Sequence, residues 1–500
     1  MTLRVGQLVA SLSLATDLGL GLPQEHVLRQ TVIADRLADL AGMSDDERAS
    51  VRMISLLAWV GCVADSHELA HWFGDEIGFR ADSYAIDRAG WPMLRLMLGH
   101  LASDSAMPWG RARVLGSFLA TGLRPTSTTL VSHCQTTGDI AARLGLPEDV
   151  RRGLAQVFER WDGRGLPERL RGEAIGRTTR VVHIADDLEV ADRQGGALAM
   201  LQQRRGTEFD PVLVDLAIAH ADVILSGLDD PWQLLLGAPL AGDRVIDDID
   251  DVLGVVADYA DVKSPWWLGH SRAVADLTGR AARDTGADPI LARRAALVHR
   301  VGALGVSAHL WAKSAPLAPA ERDRVRQVPF FTVRVLERVP ELATIGRVAG
   351  KVRERLDGSG YPAGLTADRL SAEARLLAAA QVYQALLEDR PHRPAATPAE
   401  ARRATLEQVA KGRLDADAVR AVLGAAGQAV PRRIKRVASL TDRECEVLAL
   451  LARGQSLRQI ASLLTISQRT AGSHVEHIYT KIGVSTRGAA AMFAMRNGIV

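Results

Sequence analysis

Trp161-Asp162-Gly163-Arg164-Gly165-Leu166-Pro167 returns later in the chain as Leu356-Asp357-Gly358-Ser359-Gly360-Tyr361-Pro362. Two glycines ahead of a proline specify a tight turn, because glycine reaches backbone conformations closed to other residues and proline fixes the exit. Working outward, an arginine stands thirteen residues beyond each proline, Arg180 and Arg375, and each opens an apolar run of helical spacing. Farther on, Glu208-Phe209-Asp210-Pro211-Val212-Leu213-Val214 is echoed by Arg413-Leu414-Asp415-Ala416-Asp417-Ala418-Val419. Upstream, His26 and His270 each begin a helical pattern. The loop and its arginine recur at one offset and the other echoes keep the same order, which predicts a duplicated unit. The first copy is placed at 1–235 and the second at 236–427, with Asp247-Asp248-Ile249-Asp250-Asp251 on the exposed face of the helix opening the second. A basic linker at 428–437, with Pro431-Arg432-Arg433-Ile434-Lys435-Arg436 at its centre, leads to a third domain at 438–500.

The composition agrees with that division. Five hundred residues suit about three domains, each able to bury its own core. Aromatics make up only 4% while Ala, Leu, Arg and Val dominate, so a mostly α chain is expected. The best apolar run, around Ile54 to Ala64, is broken by Gly61 and too short to span a bilayer. No basic-then-apolar leader pattern opens the sequence. Cys62, Cys134 and Cys445 are too scattered for a disulfide framework or a zinc knuckle. A cytoplasmic location without a membrane partner is the expectation. The net charge of +2 hides an asymmetry: Pro431 to Val500 carries 11 Lys/Arg against 4 Asp/Glu, leaving 50 basic and 55 acidic residues before it. A basic end on a mildly acidic body suits phosphate neutralisation, and so DNA as a partner.

That basic end reads as four helices. Thr441 with Glu444 makes a capping-box pattern at the first, the second covers about Leu457 to Leu463, Ser467 caps the third, and the fourth follows Ser485-Thr486. On the third, Ala471, Val475, Ile478 and Ile482 form one stripe destined for burial. The opposite side presents Arg469, Gly472, Ser473, Glu476, His477, Thr480 and Lys481, a face of the kind that reads a major groove. Signature positions run from Leu440-Thr441-Asp442-Arg443-Glu444 through Ala452-Arg453-Gly454, Ile460-Ala461 and Ile466-Ser467 to Lys481-Ile482-Gly483-Val484 and Arg487. With them the segment resembles the LuxR-type (GerE-type) helix-turn-helix. The resemblance implies base reading from Gly472, Ser473 and Glu476 and phosphate contact from Thr470 and Lys481. Arg458, on the preceding helix, joins them as a candidate DNA contact. It also implies a homodimer. Gly472 departs from a position often basic in the family and costs the helix about 1 kcal/mol relative to alanine.

The repeated body carries a second resemblance. Asp261-Val262-Lys263-Ser264-Pro265, His270-Ser271-Arg272-Ala273-Val274-Ala275, Ala295 to Val306, Asp357-Gly358-Ser359-Gly360-Tyr361-Pro362 and Arg375 to Leu386 resemble the HD-GYP branch of the HD metal-dependent phosphohydrolases. The resemblance implies water activated by His- and Asp-bound metal ions for attack on a phosphodiester. In the second copy the naming His-Asp pair falls on His299-Arg300, with Ala303 at the following lysine position. The later ligands fall on Val328, Val352-Arg353 and Gln381, so this copy is read as non-catalytic. In the first copy the naming pair falls on Ala58-Trp59 and the paired histidines on Val157-Phe158. His26, His133 and Asp186 match surviving ligand positions. With Asp65 and His67 they form a candidate set for iron, manganese or zinc, although no cofactor is the main expectation. His67-Glu68-Leu69-Ala70-His71 also reads as HExxH, but no third ligand follows at protease-like spacing, and it is taken as coincidence.

Together these residues support a DNA-binding transcriptional regulator whose degenerate HD-like body senses a nucleotide or small-molecule effector or mediates dimerisation. The alternative is a metal-dependent phosphohydrolase in the first copy, acting on a nucleotide or cyclic dinucleotide, with a DNA-binding tail. A non-catalytic scaffold is the third reading.

Overall fold

The computed structural model describes residues 2–101, 123–428, 440–484, 487–496 and 499. The linker cluster at 431–436 and residues 485–486 ahead of the last helix lie outside them. The chain forms two compact units, Met1–Gln428 and Ala429–Val500. Helices make up the fold, and strand pairing among the described residues is limited to isolated bridges such as Asp357 with Thr366. Among the described residues no single helix is long and apolar enough to cross a membrane.

The first unit repeats one helical plan. Helix His26–Leu40 packs on Arg177–Arg193 and Asp45–Leu57, while His270–Ala282 packs on Ala372–Leu386 and Pro289–Val298. Both histidine helices start after a left-handed residue, Glu25 (φ 70°) and Gly269 (φ 77°). In both, an aspartate nine residues before the histidine satisfies a free N–H of the first turn. Asp17 Oδ1 accepts from Val27 at 3.0 Å and Asp261 Oδ2 from Ser271 at 2.7 Å.

The repeated glycine–proline loops are tied in the same way. The Glu159 carboxylate accepts the N–H groups of Glu168 (2.7 Å) and Leu170 (2.8 Å), and Glu354 those of Ala363 (2.8 Å) and Leu365 (2.9 Å). The second glycine of each loop is demanded by close approach. A Cβ on Gly165 or Gly360 would lie 2.4 Å from the Cα of Glu159 or Glu354. The arginines thirteen residues beyond the prolines then close the plan, Arg180 on Asp210 at 2.5 Å and Arg375 on Asp415 at 3.0 Å.

The two halves meet through buried polar contacts. Lys263 Nζ donates to Glu76 Oε1 at 2.7 Å, and both side chains are 0% exposed. Ser307 Oγ donates to Glu76 Oε2 at 2.6 Å and the Ala308 N–H to Oε1 at 2.9 Å. Ser11 Oγ donates to the Val335 carbonyl at 2.6 Å, and the Thr16 and Tyr259 hydroxyls lie 3.2 Å apart. Glu76 thus has a cation and two neutral donors, which is what a buried carboxylate requires.

The second unit has helices Asp442–Ala452, Leu457–Leu464, Gln468–Ile482 and Arg487–Arg496. Thr441 with Glu444 and Ser456 with Gln459 form capping boxes, and Ser467 Oγ accepts from the Thr470 N–H at 3.0 Å. Ala471 and Ile478 are fully buried, with Val475 and Ile482 packed partly beside them, as the helical stripe predicts.

Glu76→Gln is expected to leave the Lys263 ammonium buried without its anion, lowering unfolding free energy by about 3–5 kcal/mol in urea titrations. Replacing both residues by methionine should recover much of that loss.

Candidate functional site

Asp186 is the hub of the first half. It sits on helix Arg177–Arg193 and is 1% exposed. Its Oδ1 accepts from Trp59 Nε1 at 3.0 Å and from the Tyr84 hydroxyl at 3.2 Å, and lies 3.3 Å from His26 Nε2. The other ring nitrogen of His26 is 2.6 Å from Glu189 Oε2. Burial opposes charge on His26, but the hydrogen bonds and charges of Asp186 and Glu189 outweigh it and raise its pKa to about 10. Arg88 lies 2.8 Å from Asp187 Oδ1 and 3.7 Å from Asp186 Oδ2, with its guanidinium 4.3 Å from the centroid of the Tyr84 ring. A cavity of about 240 Å³ opens beside these groups.

Of the five candidate metal ligands, the structure brings His26 and Asp186 together and commits the others elsewhere. Asp65 is held by Arg80 at 2.5 Å. His133 donates through Nε2 to the Ala58 carbonyl at 2.9 Å, lies edge-on to Trp59 and Phe158, and is pushed by burial down to about 4. His67 sits half-buried on helix Ser66–Phe73. Among the described residues no three His, Cys, Asp or Glu side chains are arranged to share a metal ion. As placed, these five side chains do not form a shared cation site, and Trp59 donates to Asp186 in their midst. On the HExxH stretch, His71 is exposed and packs edge-on to Trp72.

The corresponding place in the second half is filled differently. His270 Nδ1 lies 2.8 Å from Glu388, and His299 Nδ1 lies 2.6 Å from the Ala296 carbonyl. The rings are 5.6 Å apart, and both Nε2 atoms are buried without a hydrogen bond. Burial and nearby Arg300 push His270 down to about 4 against the pull of Glu388. Arg300 stacks on Trp267, its guanidinium carbon 3.2 Å from the ring centroid, and its Nε is 3.7 Å from Asp261. Gln381 is buried where the late aspartate would be. Two imidazoles beside an arginine do not fit a divalent metal either.

In the second unit, Arg458, Arg469, Thr470, Ser473, Glu476 and His477 are exposed, and Gly472 is half-buried. Two candidates carry structural duties as well. Thr470 Oγ1 lies 2.8 Å from Ser467 Oγ in the cap of the third helix. Lys481 Nζ pairs with Glu444 Oε2 at 2.7 Å and so holds the third helix on the first.

Sequence reasoning missed Tyr84, Arg88 and Glu189. Glu189 was within reach, since it follows Asp186 by three residues and so shares its helix face. Tyr84 and Arg88 come from the turn after Glu76–Ser83 and leave no local signal.

Because His26 titrates near 6.5 when unfolded and about 10 when folded, its contribution to stability is complete below about 6.5 and is lost as pH rises through about 10. Urea unfolding across that window is expected to show a steeper decline for the wild type than for His26→Gln.

Comparison with known proteins matches this architecture. The HD domain family matches residues 124–213 and 254–418, and the luxR family of bacterial regulatory proteins matches 438–494. The chain is 29% identical to the 3'3'-cGAMP-specific phosphodiesterase 3 of Vibrio cholerae, over 81% of this chain and 91% of that protein. It is 36% identical to the probable transcriptional regulatory protein NarL of Mycobacterium tuberculosis, over 29% of this chain and 69% of the other. A crystal structure of a cyclic GMP-AMP-specific phosphodiesterase of V. cholerae (V-cGAP3) superposes with a TM-score of 0.59 at 26% identity, covering 86% of this chain and 99% of that one. With about half its length matched by one family and its basic end by the other, the chain belongs to the HD-domain family and carries a C-terminal DNA-binding domain of the luxR family.

Proposed function

We propose that this chain is a transcriptional regulator in which the HD-type body is a non-catalytic receptor and the luxR-type unit binds DNA, as a homodimer. The carrying observation is what stands at the two naming positions. Trp59 fills one and Arg300 the other, and each is locked into its surroundings by hydrogen bonding or stacking. A hydrolytic metal centre needs anionic or imidazole donors at those points, and an indole or a guanidinium supplies neither. The phosphodiesterase reading draws support from the Vibrio relative, which spans most of the same length. It is checked by incubating the full chain with 3'3'-cGAMP and iron(II), manganese(II) or zinc(II). No turnover above a metal-only control is expected, and turnover abolished by Asp186→Ala would reverse the assignment.

For DNA, the proposal has Arg469 and Arg458 meet phosphates and Ser473 and Glu476 meet base edges, with Gly472 allowing close approach; their exposure supports it. His477 extends the same face, and Thr470 and Lys481 add phosphate contacts while serving the fold. Selection from a random duplex pool followed by titration against salt tests this. Arg469→Ala should weaken all sequences alike and reduce the log–log salt slope by about 1. Glu476→Gln should alter the preferred base at one position and leave that slope unchanged.

A further inference from the structure

The second half gathers guanidiniums that no carboxylate among the described residues answers. Helix Pro319–Arg326 carries Arg322 and Arg326 four residues apart, hence on one face, and both are exposed. With Tyr361 of the glycine–proline loop they line an open pocket, and the Arg326 guanidinium lies 5.3 Å from the centroid of the Tyr361 ring. Arg353 and Arg355, both half-buried, lead into the same loop. Burial and the neighbouring Arg353 charge push Arg355 down to about 10, and Tyr361 is within electrostatic reach of it. Arg355 donates to the carbonyls of Glu354 at 2.7 Å and Val352 at 3.5 Å. Among the described residues, none of these four arginines has a carboxylate within ion-pair distance. The acids nearby are engaged or few. Asp357 lies 3.7 Å from Arg413 and accepts from Ser359, Glu354 is turned into the glycine–proline loop, and Asp323 is the one acid in the pocket lining. Cations held this close repel one another, and an anion among them relieves that cost.

The arrangement selects among anions. Guanidinium forks match the oxygens of carboxylate and phosphate groups in two-point contacts. Four cations against the single carboxylate of the lining leave charge that a monoanion balances only in part and a dianion balances better. The cations also come from two separate segments around one pocket, whereas a nucleic-acid strand is tracked by a row of charge along a groove. We propose that this pocket of the second half binds a phosphate dianion, free or as the monoester group of a small molecule. Arg322 and Arg326 hold its oxygens, and the Arg353 and Arg355 charges add to the field. This deepens the receptor reading and rests on it: the effector then carries a terminal phosphate, which the body reads through arginine.

The test uses the full chain in phosphate-free buffer at about pH 8, where a phosphomonoester is a dianion because its second pKa is about 6. Inorganic phosphate and glycerol phosphate should each bind saturably, one per chain, in calorimetry. Dimethyl phosphate keeps the tetrahedral group with one charge fewer and should bind about tenfold more weakly. Tighter binding of inorganic phosphate assigns free phosphate as the ligand, and tighter binding of the glycerol ester assigns a small-molecule carrier. Arg326→Gln, on an exposed helix face, should weaken both dianions about tenfold with an unchanged circular dichroism spectrum. Adding Arg322→Gln to it should abolish binding. Arg403→Gln, also exposed but on helix Pro398–Ala410, should change nothing. No saturable dianion binding, equal affinity for dimethyl phosphate, or binding that survives the double substitution overturns the site. DNA affinity at matched ionic strength keeps the two readings apart. Intact DNA binding without probe binding removes the site alone, and probe binding that leaves DNA affinity unchanged confirms the site and removes the gating role. Should the double substitution weaken DNA binding while the wild type binds neither dianion, the patch belongs to nucleic acid and the proposal falls.

Discussion

The Glu76–Lys263 pair is the contact on which the body of the molecule depends. Both charges are fully buried, and they belong to opposite halves of the repeat. Neither reaches water while the halves are joined, and loss of either partner would leave the other uncompensated in a low-dielectric interior. Ser307 and Ala308 complete the carboxylate's shell from the second half, so the joint is specific as well as strong. Its consequence is that two repeats behave as one unit.

Within that body, arginines answer the buried acids. Carboxylates gathered in an interior need partners for their charge. In the first half Arg88 neutralises Asp187 and leans toward Asp186, lying over the Tyr84 ring. In the second half Arg300 is stacked on Trp267, with Trp311 beyond. A guanidinium cannot polarise water as a divalent cation does, but it satisfies buried acids and packs flat on aromatic faces. The glycine–proline loops are held separately, by Glu159 and Glu354 through backbone N–H groups, a structural role.

The likeness to the 3'3'-cGAMP-specific phosphodiesterase 3 of Vibrio cholerae extends over most of the chain. The same chain carries a luxR-type DNA-binding domain, and the proposed receptor reading makes the HD-type body its input.

Sequence by itself determined the local and periodic features: helix starts at His26, His270, Thr441 and Ser467, the duplicated glycine–proline loops, and the buried stripe of the third DNA-binding helix. These follow from short-range rules of capping, turn geometry and amphipathic spacing, which the chain states within a few residues. The Arg180–Asp210 and Arg375–Asp415 pairs were visible as echoes, although not as contacts. Sequence also placed Trp59 and Arg300 at the naming positions. Only the tertiary structure decided what they do there, because Trp59 meets Asp186 across 127 residues of chain. It alone turned Asp65 to Arg80 and His133 to the Ala58 carbonyl. Tyr84, Arg88 and Lys263 leave no pattern in the sequence, since their roles exist only where distant helices bring buried charge together and force it to pair.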